Sequence, residues 1–330
     1  MSSIRLGVTL YSFNAEFHSN KYSFEDCMAL VGSLGAGQGV ELVGPQMIRG
    51  FPQLSPEFEH RFKHAVERHD LRPTAYGGYG DAQRISGRWA TPDEQARYLQ
   101  QQVRAAARLG FPVIRLQSSE AVLTDLVPYA EQHGVKIGLE IHSPHRIEDL
   151  GPLIERVEQI DSPYLGFIPD CGAFCHSCAG VYVQRFLELG VSQQIVDAIL
   201  GLWEERATED AMHAAVDRLG GDHYAHLMAL EANIYFGHSE PQALRAIMPR
   251  IVHLHGKFFD ITDDGKDSAV RFPEVLEALI DGGYDGYISC EYEGHHWYPE
   301  RDALGQIKTL QRYIDGRIGA GGGDVALTEV

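Results

Sequence analysis

Eight short runs rich in β-branched and apolar residues recur along this chain, separated by longer segments with helical spacing. This alternation constrains the fold most, because strands joined through helices make parallel βαβ units. Strands are predicted at 6–10, 39–43, 73–76, 113–116, 136–141, 165–169, 251–255 and 286–290. Eight is the number that closes a (β/α)8 TIM barrel, an α/β fold of about 250 residues. The 330 residues leave room for one sizeable addition and not for a second barrel. Helical spacing marks 24–34, 56–69, 92–109, 121–132 and 273–280. Pro56 and Pro92 suit a first helical position, where no amide hydrogen is needed, and Gly110, Gly134 and the Gly282–Gly283 pair follow helical runs as breakers.

One gap breaks the rhythm. About eighty residues separate the sixth and seventh strands, where two to six are usual. Much of this span reads as helix, at 181–189, 193–205, 208–219 and 223–235. We therefore expect a barrel over 1–318, a long helical insertion after strand 6 at about 175–248, and a flexible tail at 319–330. The insertion follows a strand's C-terminal end, where barrels build their active sites, so a lid or a partner-docking surface is expected there.

Lys and Arg total 28 against 46 Asp and Glu, a formal charge of −18. Such a surface repels phosphate backbones and argues against nucleic acid as a partner. No apolar run is long enough for a membrane span, and the N-terminal residues lack a signal-peptide layout, so a cytoplasmic location is expected. Five cysteines in a chain of this size do not read as a disulfide framework.

Four predicted strand ends each carry a metal-competent side chain: Glu140, Asp170, His255 and Glu291. Strands of a closed barrel converge on one axis, so equivalent positions on strands five to eight can reach a common point. Three carboxylates and one imidazole form an oxygen-rich set that suits Mn2+ or Mg2+, with Co2+, Fe2+ and Zn2+ as further candidates. Glu140 and Glu291 end largely apolar strands, and a buried carboxylate is costly without a cation. Residues two apart on a strand face the same way, which places His142 beside Glu140 and His253 beside His255. His142 is the leading candidate for a general base, with His145 as its rival and Lys257 as a group that could polarise an oxyanion. His253, Glu293, His296 and Trp297 are candidate substrate contacts, although His253 also fits a packed core histidine. His295, His296 and Trp297 also fit rim packing.

Cys171, Cys175 and Cys178 show C-x3-C-x2-C spacing, which resembles the cluster loop of radical SAM enzymes and would imply a 4Fe–4S cluster. That loop normally follows the first strand, with an aromatic before the third cysteine. Here it follows the sixth, and Ser177 stands in that place. Zinc bound with His176 is another alternative; thiols without a cofactor are the favoured expectation.

The order Glu140, Asp170, His255, Glu291, the H-x-H pair and the YDGYISCE run resemble the xylose isomerase-like TIM-barrel superfamily across nearly the whole chain. Its members include sugar isomerases, ketose 3-epimerases and inosose dehydratases. LEIHSP, FIPDCGAF, HLHGKFFDI and EYEGHHWYP, with the long helical span, are similar to the α subunit of bacterial C-glycoside deglycosidases. This resemblance implies a lyase that cleaves a 3-keto glycoside by metal-assisted elimination, completed by a small β subunit in a hetero-oligomer. It also implies that the four strand-end residues hold the metal and that His142 removes a sugar proton. The alternatives are a sugar or sugar-phosphate isomerase or 3-epimerase, using Glu140 and Glu291 on opposite faces, and a non-catalytic subunit.

Overall fold

A computed structural model describes residues 4–117, 120–262 and 266–319, so the predicted tail lies outside the described residues beyond Gly319. The strands are β1 (Arg5–Thr9), β2 (Gly39–Val43), β3 (Arg72–Gly77), β4 (Val113–Leu116), β5 (Lys136–Ile141), β6 (Leu165–Pro169), β7 (Leu254–Phe258) and β8 (Tyr287–Tyr292). All ladders are parallel, in the order β6-β5-β4-β3-β2-β1-β8-β7. The two end strands meet through isolated bridges, Phe167 with Ile251 and Asp170 with His255, which nearly close a (β/α)8 barrel.

The described chain has eleven helices of nine or more residues. They are α1 (Phe24–Gly32), α2 (Pro56–Arg68), α3 (Pro92–Leu109), α4 (Leu123–Gln132), α5 (Gly151–Ile160), α6 (Gly180–Glu188), α7 (Gln193–Glu204), α8 (Glu209–Arg218), α9 (His223–Tyr235), α10 (Phe272–Asp281) and α11 (Ala303–Gly319). Local chemistry sets their ends. Thr91 and Glu94 form a reciprocal capping box at α3, Pro92 takes its first turn, and Gly110 closes it at φ 85°. Four helices, α6 to α9, occupy the span between β6 and β7.

β7 and β8 depart most from their predicted bounds. β7 begins at Leu254 rather than at 251, because Met248–Arg250 form a 3-10 turn and Ile251 makes only its single bridge to Phe167. β8 continues to Tyr292, where its ladder with Phe258 persists and Ser12 Oγ accepts the Tyr292 amide at 2.9 Å. Inside the barrel, Ile168 packs with Ala75, Val113 and Val252. Gly166 is required by close approach: any side chain there would meet the Arg250 carbonyl oxygen. Among the described residues, no helix is long and apolar enough to cross a membrane.

Candidate active site and metal centre

The C-terminal ends of β5, β6 and β8 bring Glu140, Asp170 and Glu291 together with His255, which was predicted at the end of strand 7 and is instead the second residue of β7. Ligand atoms of Glu140, Asp170, His255 and Glu291 lie within 4.8 Å of one another. His255 Nδ1 sits 2.9 Å from Glu140 Oε1, 3.2 Å from Glu291 Oε2 and 3.8 Å from Asp170 Oδ2. Asp170 Oδ2, His255 Nδ1 and Glu291 Oε2 are all buried and make no hydrogen bond. Three carboxylates aimed at one point, with orphaned lone pairs, fit a divalent cation. The other Asp170 oxygen is occupied, accepting the Gly172 amide at 2.7 Å, which fixes the carboxylate's direction.

Two residues that the sequence reading did not single out shape this centre. Glu41, fully buried in mid-β2, accepts from His255 Nε2 at 3.0 and 3.1 Å. That contact makes Nε2 the donor and leaves Nδ1 free to ligate, the usual carboxylate–histidine–metal arrangement. Glu41, His253 and His255 also cluster tightly. That group is walled in, however, with His253 Nε2 3.3 Å from Glu41 and 2.8 Å from Ser289 Oγ. Arg115 is the second: its Nη1 donates to Glu140 Oε2 at 3.1 Å, beside Gln117 Nε2 at 2.5 Å, leaving Oε1 facing the centre. The only sequence signal for Glu41 was a lone carboxylate inside the apolar run GVELV.

The electrostatics follow from crowding. Burial opposes charge on His255, yet Glu41 and Glu291 around it hold the imidazole well above its usual value. Burial also works against ionised Glu140, but Arg115 and His255 keep it well below the carboxylate range. For Asp170 the cost of burial is outweighed by Lys257 and His255, bringing it down to about 2. Glu291 goes the other way, pushed up by burial despite His255 and Lys257.

Lys257 is the second hub. Its Nζ lies 3.0 Å from Asp170 Oδ2 and 3.0 Å from Glu293 Oε1, and it donates to His142 Nε2 at 2.7 Å. Burial would lower the lysine, but Asp170 and Glu293 raise it well above its usual value. His142 Nδ1 donates to the Ser143 carbonyl at 2.6 Å, so its Nε2 presents a lone pair. His145 is exposed and lines, with His142, Glu140 and Leu150, a cavity of about 410 Å3 beside the centre.

The remaining candidates spread over the rim and the core. His253 lies beneath His255 rather than at the mouth, held by Glu41 and Ser289. His296 Nε2 meets Tyr11 OH at 2.8 Å near the mouth. Trp297 is buried against Tyr182 and Phe236 and donates to Glu231 at 2.8 Å, so it anchors α9. His295 donates to the Tyr292 carbonyl at 2.9 Å. Cys171, Cys175 and Cys178 are buried free thiols, all pushed up by burial. Among the described residues, no three sulfurs lie within the 4.8 Å that brings the Glu140, Asp170, His255 and Glu291 ligand atoms together.

Comparison with known proteins identifies the family and the fold. The family described as xylose isomerase-like TIM barrel matches residues 29–314. The chain is 38% identical to the 3'-dehydrocarminate deglycosidase alpha subunit of Microbacterium sp, covering 97% of each. It is 32% identical to a C-glycoside deglycosidase alpha subunit of Arthrobacter globiformis, over 92% of this chain and 88% of that one. Among solved structures, D-psicose 3-epimerase shares the fold with a TM-score of 0.58 at 10% identity, covering 97% of this chain and 100% of that one. The chain therefore belongs to the xylose isomerase-like TIM barrel family, among the relatives of C-glycoside deglycosidase alpha subunits.

Proposed function

We propose that this chain is the catalytic α subunit of a divalent-metal-dependent lyase that cleaves a 3-keto C-glycoside, with a small β subunit completing the enzyme. The observation that carries the reading is the lone pair of His142 Nε2 beside the four-ligand cluster, with Lys257 between them. The similarity to the Microbacterium 3'-dehydrocarminate deglycosidase alpha subunit supports the substrate class and the partner subunit.

Glu140, Asp170, His255 and Glu291 would hold the ion, Mn2+ first by donor chemistry, with Mg2+, Co2+, Fe2+ and Zn2+ as further candidates. When bound, it supplies Lewis-acid polarisation of the sugar ketone, which acidifies the neighbouring C–H. His142 Nε2 takes the C2 proton once Lys257 turns its ammonium towards a substrate oxygen. The electron pair of the C2–H bond ends as a C1=C2 double bond, and the C1–aglycone bond breaks. The aglycone leaves with that bonding pair and takes up a proton, which balances the one His142 removed. Glu293 keeps Lys257 charged and in place. His145 and Glu140 sit on the wall of the 410 Å3 cavity, which we assign to the substrate.

His142→Ala should retain one equivalent of metal by elemental analysis while kcat on a 3-keto C-glycoside, assayed with the β subunit, falls ~10²–10⁴-fold. Undiminished turnover in that variant would remove His142 as the base. The second reading, isomerisation or 3-epimerisation, draws on Glu140 and Glu291 both approaching His255 Nδ1. Turnover of a free ketose by the purified chain alone would favour it.

A further inference from the structure

Elimination at C1 calls for two proton handlers, a base for C2 and a donor for the aglycone carbon, since a bare carbanion is a poor leaving group. His142 serves C2 from the β5 side. Facing it stands Tyr11, on a 3-10 turn (Leu10–Phe13) that continues β1. β1 and β5 are opposite one another in the ring of eight strands, so this turn and the β5 loop flank the mouth from two sides. Tyr11 OH lies 2.8 Å from His296 Nε2, and the Tyr235 ring sits 5.2 Å from the His296 ring, which makes this wall aromatic. The same Nε2 is 4.0 Å from Glu293 Oε2, a buried oxygen that makes no hydrogen bond. A bare Nε2 lone pair turned towards that carboxylate would be repelled, so Nε2 carries its ring's hydrogen and donates it to the phenol oxygen. The phenol's own hydrogen is left free for a third group. Burial, and then the charge of Glu293, push the phenol well above its usual value, so it keeps that hydrogen between turnovers.

We propose that Tyr11 is the catalytic acid of the elimination, delivering its phenolic proton to the aglycone carbon from the wall opposite the base. This assignment rests on the lyase reading given above. The pair of the breaking C1–aglycone bond stays on the aglycone carbon and forms a new C–H bond with the Tyr11 proton. The phenolate left behind is recharged through His296, which passes it the Nε2 hydrogen and takes one from water at Nδ1. His142 returns the C2 proton to water, so the enzyme ends each cycle as it began. A phenol that grips its proton this firmly yields it to a developing carbanion and not to a neutral sugar hydroxyl.

The test separates the two proton transfers. The α subunit, assembled with its β subunit, is incubated in D2O with a 3-keto C-glycoside of a phenolic ring. Aglycone release is followed by chromatography and deuterium entry at C2 of recovered substrate by NMR. Tyr11→Phe should cut release by ~10²–10⁴-fold while C2 exchange persists, because His142 still takes its proton. His296→Ala should show the same split in smaller degree. On a 3-keto nitrophenyl O-glycoside, whose phenolate leaves without a proton, Tyr11→Phe should lose far less activity. Undiminished release in Tyr11→Phe, or equal loss on the C- and O-glycosides, overturns the assignment; so does equal loss of exchange and release in both variants. A wild-type enzyme with neither exchange nor release overturns the lyase reading itself, which keeps the two failures apart.

Discussion

Glu41 is fully buried beneath the centre and holds His255 in place. Its two oxygens take the Nε2 hydrogen of His255 and so aim Nδ1 at the three carboxylates. Glu41→Gln keeps the shape and removes the charge, so Mn2+ affinity measured by calorimetry should drop by ~10–100-fold while the fold persists. Unchanged affinity would mean that His255 is oriented by packing alone. The clustering of Glu140, Asp170 and Glu291 was legible because each stands at the C-terminal end of a strand, whereas His255 joins them from the start of β7. Glu41 was not, since its partner lies 214 residues away and a single acid in an apolar strand carries no spacing. Arg115 was missed for the same reason, its carboxylate partner being one strand over in space. Trp297, on the eighth loop, fitted either a ring stacked on a sugar face or rim packing; it is buried against Tyr182 and Phe236 and donates to Glu231, which is the packing role.

Elements were legible where local chemistry is strong. The Thr91–Pro92–Glu94 box and Gly110 fix both ends of α3, and the predicted bounds agree with Pro92–Leu109. The start of β7 was not, because Ile251 looks like a strand residue and only tertiary pairing makes it a lone bridge. Glycines give a test at this scale. At Gly166 a methyl group would strike the Arg250 carbonyl, a backbone atom that cannot turn aside. Gly166→Ala should cost about 1–3 kcal/mol by urea denaturation. Gly316 lies in α11 with nothing near its would-be side chain, so Gly316→Ala should stabilise by about 0.5–1 kcal/mol. Similar effects at the two sites would refute the close-approach argument.

At the scale of the whole molecule, the cation and the proton compete for one imidazole. With no ion present, burial opposes the charged imidazole but Glu41 and Glu291 raise His255 well above its usual value and so tighten its hold on a second proton. A ligand nitrogen must be bare, so ion binding expels that proton, and apparent affinity should rise with pH until His255 titrates unaided. Calorimetry in buffers of different ionisation enthalpy should report close to one proton released per Mn2+ bound at pH 7; no release would show His255 already neutral.

The seam between β6 and β7 turns this chemistry into mechanics. One of its two bridges joins Asp170 to His255, and the side chains of those same residues belong to the ligand cluster. An ion gripped there works as the clasp on a hoop, fastening the ring at its weakest stitch. Stripping it with a chelator should quicken amide exchange at Val252, whose N–H donates across the seam to Phe167, before it disturbs the laddered arc from β1 to β5, so that loss of the reactive centre and opening of the barrel are one event.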